Sequence, residues 1–183
     1  PQDATDAYGG FAGPVIFAEE YPVNLSECIG KWVVTGTDGT AYDLADAAAT
    51  VNAYPGKLVQ GYELEDIDLK LELIFASDRT ALIRTTIDNK TDEALELNLK
   101  QTGSIFDSYD AYGSPSGTSL QATEDGVAVN FQTIREIWSY MTTEENRFNI
   151  RFDQPVTTEV SEDALSYEST FEAPITVEPD EPY

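Results

Sequence analysis

Two places in this sequence hold residue types that do chemistry: the adjacent carboxylates Glu19 and Glu20, and an aromatic, acidic loop from Phe106 to Gly117. Breaking a glycosidic bond takes two opposed carboxyl groups at a set separation, one kept neutral to donate a proton and one acting as base or nucleophile. Successive residues of a strand point to opposite faces, so Glu19 and Glu20 can share a site only across a bulge. They read first as an exposed charge beside an inward or interface polar group. In the loop, Tyr109 and Tyr112 offer ring faces that stack on sugars, while Asp107 and Asp110 accept hydroxyl protons. The same two carboxylates suit Ca²⁺, although the spacing is not that of an EF-hand. A plain connecting loop or an interdomain contact uses the same residues. These readings stay open, and no cofactor other than Ca²⁺ has a foothold: there is no glycine-rich phosphate loop after a strand and no pair of cysteines.

What surrounds these residues removes much else. The 183 residues contain no histidine, which eliminates Ser-His-Asp and Cys-His nucleophiles and His-ligated metals. Cys28 is the single cysteine and, lacking an internal partner or an imidazole base, reads as a packing residue. Ten Lys and Arg against 34 Asp and Glu give a net charge of −24. That charge repels phosphate backbones and anionic headgroups, so neither nucleic acid nor a membrane surface is an expected partner. No apolar run approaches the length of a membrane-spanning helix. Asn24-Leu25-Ser26 and Asn89-Lys90-Thr91 fit the glycosylation acceptor pattern, which short sequences match by chance.

The elements that must position any site are strands. Ile67, Leu69, Leu71, Leu73 and Phe75 alternate with Asp68, Lys70, Glu72 and Ile74, a period of two with one face on a core. Turn residues at 77–80 and 88–92 separate this strand from runs at 81–87 and 95–99, which makes a meander. Similar runs cover 15–21, 32–35, 58–64, 127–131, 148–152, 156–160, 167–171 and 175–177. Short strands at such spacing predict an all-β fold, a sandwich of antiparallel sheets. One or two short helical turns are expected, at Tyr42–Ala49 and Thr133–Trp138. Trp32 and Trp138 read as core. The expected organisation is an arm over 1–10, a β-sandwich over 11–177 and a Pro-rich acidic linker over 178–183.

The order of several blocks carries a resemblance. Gly9-Gly10-Phe11-Ala12-Gly13 precedes Ala18-Glu19-Glu20-Tyr21, then come Pro55-Gly56-Lys57-Leu58-Val59-Gln60, Leu73-Ile74-Phe75-Ala76 with Arg79-Thr80-Ala81-Leu82, and Glu124-Asp125-Gly126-Val127 through Phe131 with Trp138. In this order they resemble the N-terminal domain of bacterial enzymes of glycoside hydrolase family 63, the YgjK-type glucosidases. The resemblance runs from Gly9 to about Val177; the stretch from Thr35 to Asn52 departs from it. It implies a super-β-sandwich packed against an (α/α)₆ barrel that carries the carboxylates for inverting hydrolysis of α-glucosidic bonds. It also implies a periplasmic or extracellular setting. The barrel is expected beyond this chain, so no catalytic residue is assigned to these 183 residues.

Three functions compete. A noncatalytic accessory domain of an α-glucosidase-like hydrolase must expose a patch toward the catalytic domain. Candidates for that contact, or for oligosaccharide, are Gly10, Phe11, Glu19, Glu20, Tyr21, Tyr109 and Tyr112. A free-standing carbohydrate-binding module would bind sugars alone. A structural or adhesin-type sandwich fits the same turn chemistry. The resemblance favours the first.

Overall fold

In the computed structural model the described residues are 8–18, 21–26, 28–107, 115–131, 133–134 and 146–183; side chains are not described at 15–18, 21–23, 115–116, 133–134 and 146. The described residues form seventeen strands and no helix, in antiparallel sheets. The chain divides into two compact units, Pro1–Trp32 with Lys100–Ala173, and Val33–Leu99 with Pro174–Tyr183.

The second unit is built on the alternating stretch. It forms β7 (Ile67–Phe75), between β6 (Lys57–Glu63) and β8 (Ala81–Asn89), with β5 (Ala48–Tyr54) outside β6. The four strands make an antiparallel meander in the order β5-β6-β7-β8; the run at 95–99, expected as its next strand, pairs instead with Ile175–Val177 in another sheet. Ile67, Leu69 and Leu71 of β7 and Ile87 of β8 are buried on one face. The remaining strands of this unit are the first half of β9 (Leu95–Ser104), the second half of β3 (Cys28–Gly36), β4 (Ala41–Tyr42) and β17 (Ile175–Val177). Val34, Leu44, Tyr62, Leu97, Leu99, Ile175 and Val177 complete the buried apolar set of this unit. Burying each such side chain contributes roughly 1.5–3 kcal/mol, enough to hold the sheets without a crosslink.

Asn89, 8% exposed, ties the end of β8 to its surroundings. Its Nδ2 donates to the carbonyls of Glu93 (2.8 Å) and Val177 (2.9 Å), and its Oδ1 accepts from the Thr91 N–H and hydroxyl. The glycosylation-like triplet is therefore a structural knot. The segment read as a linker lies along β8: Tyr183 exchanges two backbone hydrogen bonds with Ile87, at 3.0 and 3.1 Å, and Pro179 bridges Asn89. Pairing of this kind caps an edge that would otherwise be open to another strand.

Tyr42–Ala49 is not helical. Asp43 accepts the Ala45 N–H through its side chain and the Asp46 N–H through its carbonyl, making a turn, and Ala48 onward pairs with β6. An Asx turn and a ladder of cross-strand bonds outweigh the helix propensity of a run of alanines too short to nucleate. Thr133–Ile134 is likewise strand (β13), paired with Pro115–Ser116 (β10); Trp138 lies outside the described residues.

In the first unit, β11 (Ser119–Thr123), β12 (Gly126–Phe131) and β14 (Asn146–Arg151) form one sheet, while β15 (Val156–Val160), β16 (Ser166–Phe171), the second half of β9 and the first half of β3 form another, in that order. A hairpin of β1 (Val15–Ala18) and β2 (Tyr21–Asn24) completes it. Ile29, Ile105, Leu120, Val127, Val129 and Tyr167 cluster between the sheets, a sandwich core. Trp32, 7% exposed, packs edge-on against Phe171 and Phe152 at 5.6 and 6.4 Å. The Tyr167 hydroxyl is buried but satisfied: it accepts the Gly30 N–H and donates to Gln101 Oε1, both at 3.2 Å. The β11–β12 turn requires Gly126, whose φ is +148° and where a Cβ would sit 2.2 Å from the Ile150 carbonyl.

Candidate docking surface

The apolar face of the meander runs on past the core. Register aligns Ala53, Leu58, Leu73 and Ile83 as one row across all four strands, on the same face as Leu69, Leu71 and Ile87. Val51 and Phe75 flank the row. Yet Val51 is 72% exposed, Phe75 59% and Ile83 40%. Across the sheet, on the opposite face, Tyr54, Ile74 and Leu82 form a second apolar row with Lys57 among them, and Tyr54 and Leu82 are each 56% exposed. Of seven exposed large apolar side chains among the described residues, five (Val51, Tyr54, Phe75, Leu82 and Ile83) gather at this end of the sheet. Single exposed apolars are ordinary on any surface; here three stand on one face and two on the other at the same end of one sheet.

Behind the second row, on that same face, lies an ion cluster. Glu72 is paired across the strands with Val59 and Arg84 and is 1% exposed. A carboxylate taken out of water needs partners on both oxygens. Lys57 Nζ meets Oε1 and Arg84 reaches Oε2, its Nε at 2.8 Å, with Lys70 Nζ 3.5 Å from Oε1. The Lys57 ammonium and then the Arg84 guanidinium, hydrogen-bonded to the carboxylate, hold its pKa down at about 2. A shallow cleft of about 330 Å³ opens here, lined by Tyr54, Lys57, Val59, Lys70 and Glu72. Farther back the sign reverses: Glu63, Asp68 and Asp88 form an acidic row, with Lys90 3.2 Å from Asp68.

The residues singled out from sequence lie elsewhere. Gly10 and Phe11 are buried along β3, where the Phe11 N–H donates to the Ile29 carbonyl at 2.9 Å and a Cβ on Gly10 would approach the Lys31 backbone to 2.9 Å. Tyr21 opens β2 opposite Ala18. Glu19, Glu20, Tyr109, Asp110 and Tyr112 lie outside the described residues, while Asp107 is exposed. Among the described residues no group of three or more Asp, Glu or Cys side chains is arranged to hold a metal ion. The sheet end carries its own sequence signal. Leu73-Ile74-Phe75 and Leu82-Ile83 break strict alternation, which puts apolar groups on both faces at once.

The described residues thus form an all-β chain in which one sheet ends in exposed apolar side chains on both faces. Residues 1–178 match the family model described as glucosidase YgjK, N-terminal, and the chain belongs to that family.

Proposed function

We propose that this chain is the noncatalytic accessory domain of a bacterial α-glucosidase-like hydrolase of glycoside hydrolase family 63. In this reading it supports a catalytic barrel of the same protein by packing both faces of the sheet end against it, the Leu73 and Ile83 row on one side and the Tyr54, Ile74 and Leu82 row on the other. The observation that carries the reading is the gathering of five exposed large apolar side chains at one end of one sheet, on a chain whose family is an N-terminal glucosidase domain. A surface that stays uncovered in isolation is energetically costly, and covering it would stabilise both partners. The bond-breaking carboxylates belong, on this reading, to the barrel.

The test compares the 183-residue chain with the full-length protein. Deuterium uptake at residues 50–58 and 73–83 should be slower in the full-length protein, and a nitrophenyl α-glucoside should be hydrolysed by it but not by the chain alone. Equal uptake, or turnover by the purified chain, would overturn the reading. A carbohydrate-binding module is favoured by one feature, the half-exposed Tyr54 ring beside the cleft. Calorimetric heat from α-gluco-oligosaccharides added to the chain alone would support it.

A further inference from the structure

We propose that Lys57, Lys70 and Arg84 form the polar half of the docking surface and receive carboxylates from the catalytic domain; this rests on the accessory-domain reading above. The starting point is charge. With 34 acidic residues against ten basic ones, this chain repels any other acidic surface, and a contact needs a place where the sign is locally inverted. The sheet end is such a place. Three of the ten cations stand on adjacent strands β6, β7 and β8, around one carboxylate. Neighbouring strands are about 4.8 Å apart, so the three lie within roughly one screening length of each other at physiological salt. One buried Glu72 neutralises one of the three charges and leaves two over.

The arrangement is also preorganised. Glu72 accepts from both Lys57 and Arg84, so two long side chains are fixed in place before any partner arrives, and the ordering entropy is already spent. Their head groups remain reachable: the side chains of Lys57, Lys70 and Arg84 are 36%, 49% and 65% exposed. Apolar Tyr54, Ile74 and Leu82 lie next to them, and the acidic row of Glu63, Asp68 and Asp88 lies behind. The face is thus graded from apolar through cationic to acidic. The partner of matching chemistry is an apolar ridge bordered by carboxylates. A partner shifted along the strands would set its carboxylates against the acidic row, so the gradient also selects register.

Lysine footprinting tests this in the proteins as they exist. Acetylation rates of Lys57 and Lys70 are measured by mass spectrometry in the isolated chain and in the full-length protein. Both should fall by roughly tenfold in the full-length protein, as expected for ammonium groups enclosed at an interface. In full-length Lys70→Gln and Arg84→Gln variants that keep the isolated-chain circular dichroism spectrum, the protection of residues 73–83 from deuterium uptake should be partly lost. Unchanged acetylation of both lysines, with the apolar rows protected, overturns the cation proposal and leaves the accessory reading standing. If neither lysines nor apolar rows are protected, both fall.

Discussion

The apolar sheet end can be weighed by replacing Val51 and Phe75 with threonine, which keeps strand propensity while removing apolar surface. Full burial of a Val or Phe side chain contributes about 2–2.5 kcal/mol. Val51 keeps 72% and Phe75 59% of its surface outside the chain, so most of that contribution is still to be gained at a contact. Allowing for the methyl group that threonine retains, the double variant should weaken docking by about 2 kcal/mol, a loss of ~30-fold. The isolated chain, in which both residues are mostly exposed already, should lose only about 1 kcal/mol. Differential scanning calorimetry separates the two effects. In the wild type this domain should melt several degrees higher within the full-length protein than alone, since about 1 kcal/mol moves the midpoint of a domain this size by roughly 2–4 °C. In the variant that gap should close by most of its width. A gap equal in wild type and variant would refute the reasoning, because the exposed surface would then be doing nothing at a contact.

Three further outcomes follow from the described geometry. Asn89→Ala should cost about 2–3 kcal/mol in urea unfolding, because four hydrogen bonds around a nearly buried amide go with it; a cost under about 0.5 kcal/mol would show that water replaces them freely. Tyr167→Phe keeps the ring and removes the hydroxyl that accepts from Gly30, so about 1–3 kcal/mol should be lost with the near-ultraviolet spectrum little changed; full retention of stability would contradict a buried unsatisfied N–H. Glu72 has its pKa lowered in the fold from an ordinary 4.5 to about 2, so its stabilising contribution is complete above about 4.5 and lost as pH falls toward 2. Wild type should therefore out-melt Glu72→Gln at neutral pH, and the difference should shrink through that window; a pH-independent difference would sink the ion-cluster account.

Much of the fold was readable in the sequence because a period of two is a strong signal. The alternation at 67–75 and the turn cluster at 77–80 led directly to the β7–β8 hairpin and to the all-β class, whereas the turn at 88–92 hands the chain to a different sheet, which a period of two cannot reveal. Alanine defeated the same logic at 42–49. Its side chain gives no face, so local propensity suggested a helix where Asp43 and the neighbouring strand dictated a turn and a ladder. The exposed apolar end of the sheet was harder to see. Alternation reports which residues share a face but not whether another layer covers it, so Leu73 and Phe75 read as core together with Leu71. The ion cluster was invisible for a different reason: Lys57, Glu72 and Arg84 come from three strands, and only register brings them together. Gly10 and Phe11 stood out as a block, and their place beside β3 gives that block a packing role.

The contiguity of the meander has a consequence for the order in which the molecule assembles. Residues 48–89 contain all four strands, joined by short turns, whereas the first unit must bring Gly30 to Tyr167, 137 positions away in the chain. Closing small loops is fast and closing large ones is slow, so on the ribosome and in refolding the hairpins should reach native-like protection well before the Tyr167 environment exists. Pulse labelling during refolding would read this as early amide protection at residues 57–75 and late protection at 127–129. During that interval the apolar end of the sheet stands ready as a template while half of its own domain is still chain.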